Sequence, residues 1–246
     1  MAGNWKMYKT PQETASFFER FNAPVASVSN CDVVIFPATI NVTTAVAAVA
    51  GTKIGIGGQN IWPGKEGAFT GETSADMLKA AGAAWVLVGH SERRNTVAAE
   101  SDADVLKKTQ YALSIGLKPV VCVGERAEEY KAAKTGEVLV KQFAGGIAGL
   151  TEEQFSQIVI AYEPVWAIGT GLTATPEIAS SSHKLIRAEV EKRFGGDAAA
   201  KVQILYGGSV KPDNIEGLMK EVELDGVLVG GASLDPDSFI KIVKGA

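Results

Sequence analysis

The residues of this chain best suited to chemistry are a glutamate, a histidine and a lysine, each at the end of an apolar run. Glu163 closes the run Gln157–Tyr162 (QIVIAY). Pro164 then stops further ladder pairing, and Gly169 and Gly171 permit backbone angles closed to other residues. A carboxylate at a strand end beside a glycine-bearing lid can be shown to a substrate and then shut away from water, which suits a general base. His90 ends the run VLVGH. There it could donate a hydrogen bond to a carbonyl oxygen while Glu163 removes the adjacent proton, a division of labour that fits enolisation. Lys6 lies in GNWKM, and a lysine at that strand's C-terminal end would point into a barrel mouth. Ordinary readings compete with each of these: an acid at a strand terminus, a histidine hydrogen-bonded in a loop, a solvated surface lysine. Glu92 is either a further site group or the ion-pair partner of Arg93 or Arg94. His183, on a predicted helix, is structural or solvent-facing. Asn4 and Trp5 form a polar-aromatic cluster that is weak by itself.

A second set of signals concerns anions. Tyr206-Gly207-Gly208-Ser209 and Val229-Gly230-Gly231-Ala232-Ser233 each follow a predicted strand, and glycines there let backbone N–H groups approach a phosphate closely. Either pair alone is a weak signal. Both at adjacent strand ends, with Gly169 and Gly171 on the sixth loop, make a stronger one, and neither has the spacing of the dinucleotide fingerprint.

The elements that must hold these residues are legible as a repeat. Apolar runs recur at Ala2–Trp5, Asp32–Pro37, Lys53–Gly57, Trp85–Gly89, Pro119–Val123, Ile158–Tyr162, Gln203–Tyr206 and Gly226–Val229. Most are continuous rather than alternating, as parallel strands covered on both faces are. Helix signals stand between them. Thr10-Pro11-Gln12-Glu13 precedes Phe17, Phe18 and Phe21, and Ser101 to Ile115 places Val105, Leu106, Leu113 and Ile115 on roughly one face. Thr175-Pro176-Glu177, Lys211-Pro212-Asp213 and Asp235-Pro236-Asp237 read as three more helix starts. Strand then helix, repeated through the chain, predicts an α/β fold: a (β/α)8 barrel in a single domain over residues 1–246, with a doubly wound open sheet as the alternative. The insert Asn60–Ser74 exceeds a minimal strand-to-helix connection, and Trp62 and Phe69 on it suggest a docking arm or a locally folded aromatic cluster.

Composition agrees. The 246 residues are 46% apolar and 21% charged with a net charge of −4, which suits a globular protein and argues against nucleic acid as partner. No run approaches a membrane span and the N-terminus lacks a signal-peptide core, so a cytoplasmic location is expected. Cys31 and Cys122 lie in apolar runs and read as reduced core or near-core thiols rather than a disulfide or metal site.

Taken together, GNWKM, VGHSERR, CVGE, YEPVWAIGTG, YGGSV and DGVLVGGASL resemble the triosephosphate isomerase family, in that family's order, from Ala2 to beyond Ser233. The resemblance implies a (β/α)8 homodimer that interconverts glyceraldehyde 3-phosphate and dihydroxyacetone phosphate without cofactor or metal. It implies Glu163 as the proton-shuttling base, His90 as a neutral electrophile, and Lys6 and Asn4 as stabilisers of the enediolate. Gly169, Ser209, Gly230 and Gly231 would contact phosphate, Ala167 to Thr170 would form the lid tip, and Pro164 its hinge. Glu92 and Cys122 match supporting residues near the site, and Glu125 matches one linked to Tyr162 and Trp166 in lid closure. The loop Gln59–Glu72 resembles one that inserts into the partner subunit, bringing Thr70 toward the other site. Leu172 replaces the usual lysine, and Tyr8 and Asp235 replace a small polar residue and a lysine. The short segment before AGNWKM predicts a gap or weaker closure at the barrel floor. The competing function is a noncatalytic barrel that binds a phosphometabolite.

Overall fold

The computed structural model describes residues 1–169 and 173–246. Eight parallel strands close into a barrel in sequence order: β1 (Ala2–Asn4), β2 (Val34–Phe36), β3 (Gly55–Gly58), β4 (Trp85–Val88), β5 (Lys118–Val123), β6 (Val159–Tyr162), β7 (Ile204–Tyr206) and β8 (Gly226–Val229). Outside lie α1 (Pro11–Val25), α2 (Val42–Ala48), α3 (Ala75–Ala80), α4 (Asp102–Ser114), α5 (Ala127–Lys131) and α6 (Thr135–Gly146). They are followed by α7 (Glu152–Phe155), α8 (Pro176–Phe194), α9 (Gly196–Lys201), α10 (Ile215–Leu218) and α11 (Pro236–Lys244). This is the (β/α)8 barrel of the sequence reading, not the open sheet.

The continuous apolar runs are explained by two cores. Along β5, Val120 and Cys122 fill the barrel interior with Ala2, Val34 and Leu205, while Val121 and Val123 join the layer between strands and helices; Val159 and Ala161 alternate with Ile160 and Tyr162 on β6 in the same way. A strand buried on both faces has no polar positions to alternate. The outer layer is richest in aromatic rings under α1, where Phe21 stacks on Phe239 of α11 at 5.3 Å and Trp5 packs edge-on to Phe17 at 4.8 Å.

Helix starts follow their caps. Thr10 and Glu13 form a reciprocal capping box on α1, Thr175 accepts the Ile178 N–H at α8, and Asp235 accepts the Ser238 N–H at α11. The start at Lys211-Pro212-Asp213 is not realised. Lysine offers no acceptor for first-turn N–H groups, so residues 211–214 form a turn closed by Asn214 Oδ1 on the Lys211 N–H, and α10 begins at Ile215. The buried face of α4 also differs from the expected one. Val105, Lys108, Thr109 and Ala112 are buried, while Leu106, Leu113 and Ile115 are only partly so. Lys108 can be inside because its ammonium bonds Glu100 at 2.6 Å and Asn60 at 2.7 Å.

β1 is hydrogen-bonded on both sides, Ala2 opposite Val34 and Leu228, so the barrel closes despite the expected shortfall. A cavity of about 120 Å³ lies at the barrel floor, lined by Met1, Trp85, Gln203 and their neighbours. In the Asn60–Ser74 insert the two aromatics pack against each other, Trp62 tilted on Phe69 with ring centroids 4.2 Å apart, and Phe69 still 44% exposed.

Candidate active site

Parallel strands present all their C-terminal ends on one face, and the predicted residues meet there. Asn4 ends β1 and Lys6 follows it, His90 follows β4, Glu163 follows β6, Ser209 follows β7, and Gly230 and Gly231 follow β8. With Gly169 they line one cavity of about 350 Å³. Glu92, Cys122 and Glu125 are not on its wall.

Glu163 is 2% exposed and His90 is 6% exposed. His90 Nε2 donates to Glu163 Oε1 at 2.9 Å, and the Ser91 N–H donates to Glu163 Oε2 at 2.9 Å. The Glu92 N–H points at His90 Nδ1 at 3.2 Å, and Nε2 is the ring nitrogen that carries its proton toward Glu163. Burial disfavours charge on both groups, and their mutual attraction outweighs it. Burial pulls the His90 pKa down, but the charge and hydrogen bond of Glu163 and the nearby Glu92 leave it above the ordinary histidine value. Burial pushes Glu163 up, but His90, the Ser91 N–H and Lys6 bring it below the usual glutamate range. Their shared proton therefore stays on His90 and the carboxylate is anionic.

Room for that carboxylate is made by missing side chains. A Cβ on Gly124 would lie 1.8 Å from the Glu163 carbonyl oxygen, and one on Gly207 would lie 2.9 Å from Glu163 Cγ. Backbone bonds fix the base's own strand end, Glu163 N–H to Val123 O and Gly207 N–H to Tyr162 O, each 2.7 Å.

Lys6 sits at φ 51°, in the left-handed region that costs a non-glycine residue about 1–2 kcal/mol. Its neighbours hold it there. Its N–H donates to Asn4 Oδ1 at 3.0 Å, and Gln59 Nε2 donates to the Lys6 carbonyl at 2.8 Å and to Phe36 O at 2.9 Å. Lys6 Nζ bonds Glu92 Oε1 at 2.6 Å, so Glu92 pairs with the site lysine, while Arg93 goes to Glu100 and Arg94 to Asp102. Trp5 belongs to packing. It is fully buried, and its indole N–H donates to Ser233 O at 3.0 Å, fastening the turn that carries Gly230 and Gly231.

The supporting residues lie behind the cavity. Cys122 is buried inside the barrel, and burial together with the Glu163 charge pushes its thiol well up, so it stays protonated. Cys31 is free and partly buried, as expected of the two thiols. Glu125 is fully buried, and its Oε1 accepts both Tyr162 Oη at 3.0 Å and Trp166 Nε1 at 2.7 Å. Trp166 belongs to the short 3-10 turn Val165–Ala167 after Pro164, so Glu125 grips the root of the loop. Gly169 has φ 68°. The expectations for Thr170, Gly171 and Leu172 fall outside the described residues.

Sequence reading missed Gln59 as the clamp on Lys6, Ser91 as a donor to the base, and Gly124 and Gly207 as its flanks. Both glycines stood in the quoted motifs, but Gly207 was read only as a phosphate signal and Gly124 was given no role. Among the described residues, no group of three or more histidine, cysteine or acidic side chains is arranged to hold a metal ion.

A closed parallel barrel with a buried carboxylate–imidazole pair, a lysine and glycine-rich loops at its strand ends defines a (β/α)8-barrel enzyme. The profile described as Triosephosphate isomerase matches residues 1–246. Triosephosphate isomerase of Solibacter usitatus is 59% identical over 99% of this chain and 98% of its own length; that of Citrifermentans bemidjiense is 47% identical over 99% and 97%, and that of Caldanaerobacter subterraneus 46% over 99% and 98%. The chain belongs to the triosephosphate isomerase family, and it is an isomerase that interconverts triose phosphates.

Proposed function

We propose that Glu163 and His90 divide the proton transfers of this isomerisation between them, on glyceraldehyde 3-phosphate and dihydroxyacetone phosphate. The carrying observation is the 2.9 Å hydrogen bond between them in a cavity that also holds Lys6 and the glycine loops. A carbonyl oxygen that takes over the His90 Nε2–H frees Glu163 to remove the proton from the neighbouring carbon. The C–H electron pair moves to form an enediolate, whose oxygen charge is met by Nε2–H, the Lys6 ammonium and Asn4. His90 passes its Nε2 proton to that oxygen and takes up the proton of the neighbouring hydroxyl; Glu163, now protonated, returns its proton to the adjacent carbon, and the carbonyl re-forms one position along. No electron is gained or lost, and the only proton donor and acceptor required are already in the site.

Gly169, Ser209, Gly230 and Gly231 hold the phosphate through backbone and hydroxyl donors, and closure of the loop after Pro164 excludes water from the enediolate. Glu92 sets the position of Lys6, Cys122 packs beneath the base, and Glu125 holds the loop root. The test is turnover of glyceraldehyde 3-phosphate by the parent and by Glu163→Gln. The variant is expected to lose about 10³-fold or more in kcat while still binding inorganic phosphate. A variant within tenfold of the parent would overturn the assignment of the base.

The same reading makes the chain a homodimer through the loop Gln59–Glu72. Met7 is 93% exposed, Ile40 72% and Val97 70%. Met7 and Val97 line a second cavity of about 330 Å³ that reaches Lys6 and Glu92. Exposed apolar groups around a concavity beside the site, with an aromatic-bearing loop standing out next to it, suit a reciprocal contact between two copies. Sedimentation at micromolar concentration is expected to give twice the chain mass, and a monomer would count against it. Among the described residues no helix is long and apolar enough to cross a membrane, and a cytoplasmic location belongs to the same proposal.

A further inference from the structure

The charges lining the cavity are unevenly committed. Glu163 is an anion, and Lys6 is already in contact with Glu92 at 2.6 Å. The donors at the phosphate end, on Gly169, Ser209, Gly230 and Gly231, are uncharged. A phosphorylated triose brings close to two negative charges to this mouth, in a chain whose own net charge is −4. One further charged residue lines the same cavity: Lys211, two positions after Ser209. It is exposed and forms no ion pair among the described residues. Asp235, which follows the lining residue Leu234, is occupied in capping α11 through the Ser238 N–H at 2.8 Å.

The backbone under Lys211 is fixed to the phosphate loop. Its N–H donates to Asn214 Oδ1 at 2.8 Å, and Asn214 Nδ2 donates to Ser209 O at 3.0 Å. This Asn214 clamp is the same turn that displaced the expected helix start. It leaves an exposed cation on a hydrogen-bonded turn beside Ser209, where the phosphate is proposed to bind.

We infer that Lys211 is a second cation of the phosphate subsite, drawing the dianionic group to the β7–β8 side of the mouth and raising selectivity for phosphorylated over unphosphorylated trioses. The inference rests on the placement of phosphate proposed above. A solvent-exposed charge near a dianion acts through a high dielectric, so its effect is modest and is screened by salt.

The experiment compares the parent, Lys211→Gln and Lys211→Arg, using glyceraldehyde 3-phosphate, glyceraldehyde and inorganic phosphate as competitor. At about 10 mM ionic strength, Lys211→Gln is expected to lower the ratio of kcat/KM for glyceraldehyde 3-phosphate to that for glyceraldehyde by roughly three- to tenfold. It should raise the inhibition constant of inorganic phosphate by a similar factor. Both differences should shrink toward unity near 1 M, where the screening length is about 3 Å, and Lys211→Arg should restore both. A Lys211→Gln ratio equal to the parent's at low salt, or a loss that salt does not reduce, would overturn the inference. If inorganic phosphate fails to compete even with the parent, the phosphate placement itself falls, which separates that failure from the failure of Lys211.

Discussion

The two histidines of this chain are both buried, and their surroundings give them opposite characters. His90, at the barrel mouth, faces the carboxylate of Glu163 at 2.9 Å, and its pKa stands above the ordinary value despite burial. His183, on α8, is fully buried. Its Nδ1–H donates to the Glu223 carbonyl at 3.1 Å, its ring meets Tyr162 edge-on at 5.8 Å, and its Nε2 has no hydrogen-bond partner among the described residues. With no carboxylate against it, burial pulls its pKa down to about 4. Depth alone therefore says little about whether a histidine does chemistry. What differs is the nearby anion, and on the proposed mechanism the contrast separates a residue whose loss should cost turnover from one whose loss should alter stability.

The sharpest way to break the contrast is at His90. Glutamine there keeps a donor but not the imidazole, and kcat is expected to fall about 10²–10⁴-fold with little change in the melting temperature. A second readout separates chemistry from packing. His90 is the strongest of the influences that lower the Glu163 pKa, so its removal should let burial raise that pKa. The acid limb of kcat/KM should then move to higher pH, since the base must be unprotonated to act. A loss below tenfold with an unmoved limb would place His90 with His183 as a structural residue.

The sequence showed the difference between the histidines only in part. His90 was legible because it closes an apolar run in register with Lys6, Glu163 and the glycine pairs, and strand periodicity puts all such ends on one face. All eight strands were legible for the same reason. His183 stayed ambiguous between buried and exposed, because a helix of mixed composition does not reveal which stripe the barrel covers. The buried stripe of α4 was misjudged likewise: Lys108 counts as solvated until Glu100 and Asn60 are known to be beside it. Contacts between segments distant in sequence were the hardest to read. Gln59 on the carbonyl of Lys6, and Gly124 under the carbonyl of Glu163, follow from barrel closure and leave no local pattern.

The smaller expected effect is at His183, and it concerns stability against acid. Its folded pKa of about 4 lies below the ordinary 6.5, so between these values the unfolded chain binds more protons than the folded one. Unfolding free energy must therefore rise with pH across that window and be lost as pH falls through it, by about 3 kcal/mol when fully developed below pH 4. His183→Phe removes the titration and keeps a ring of similar size beside Tyr162. At pH 7.5 it should cost about 1 kcal/mol for the lost bond to the Glu223 carbonyl, with kcat within about twofold of the parent. Below pH 5 the order should reverse, the variant losing less stability per pH unit than the parent in urea titrations taken at successive pH values. Parallel pH dependences for the two proteins would mean that His183 accepts its proton without cost in the fold, and the want of a neighbouring carboxylate could then no longer be what separates it from His90.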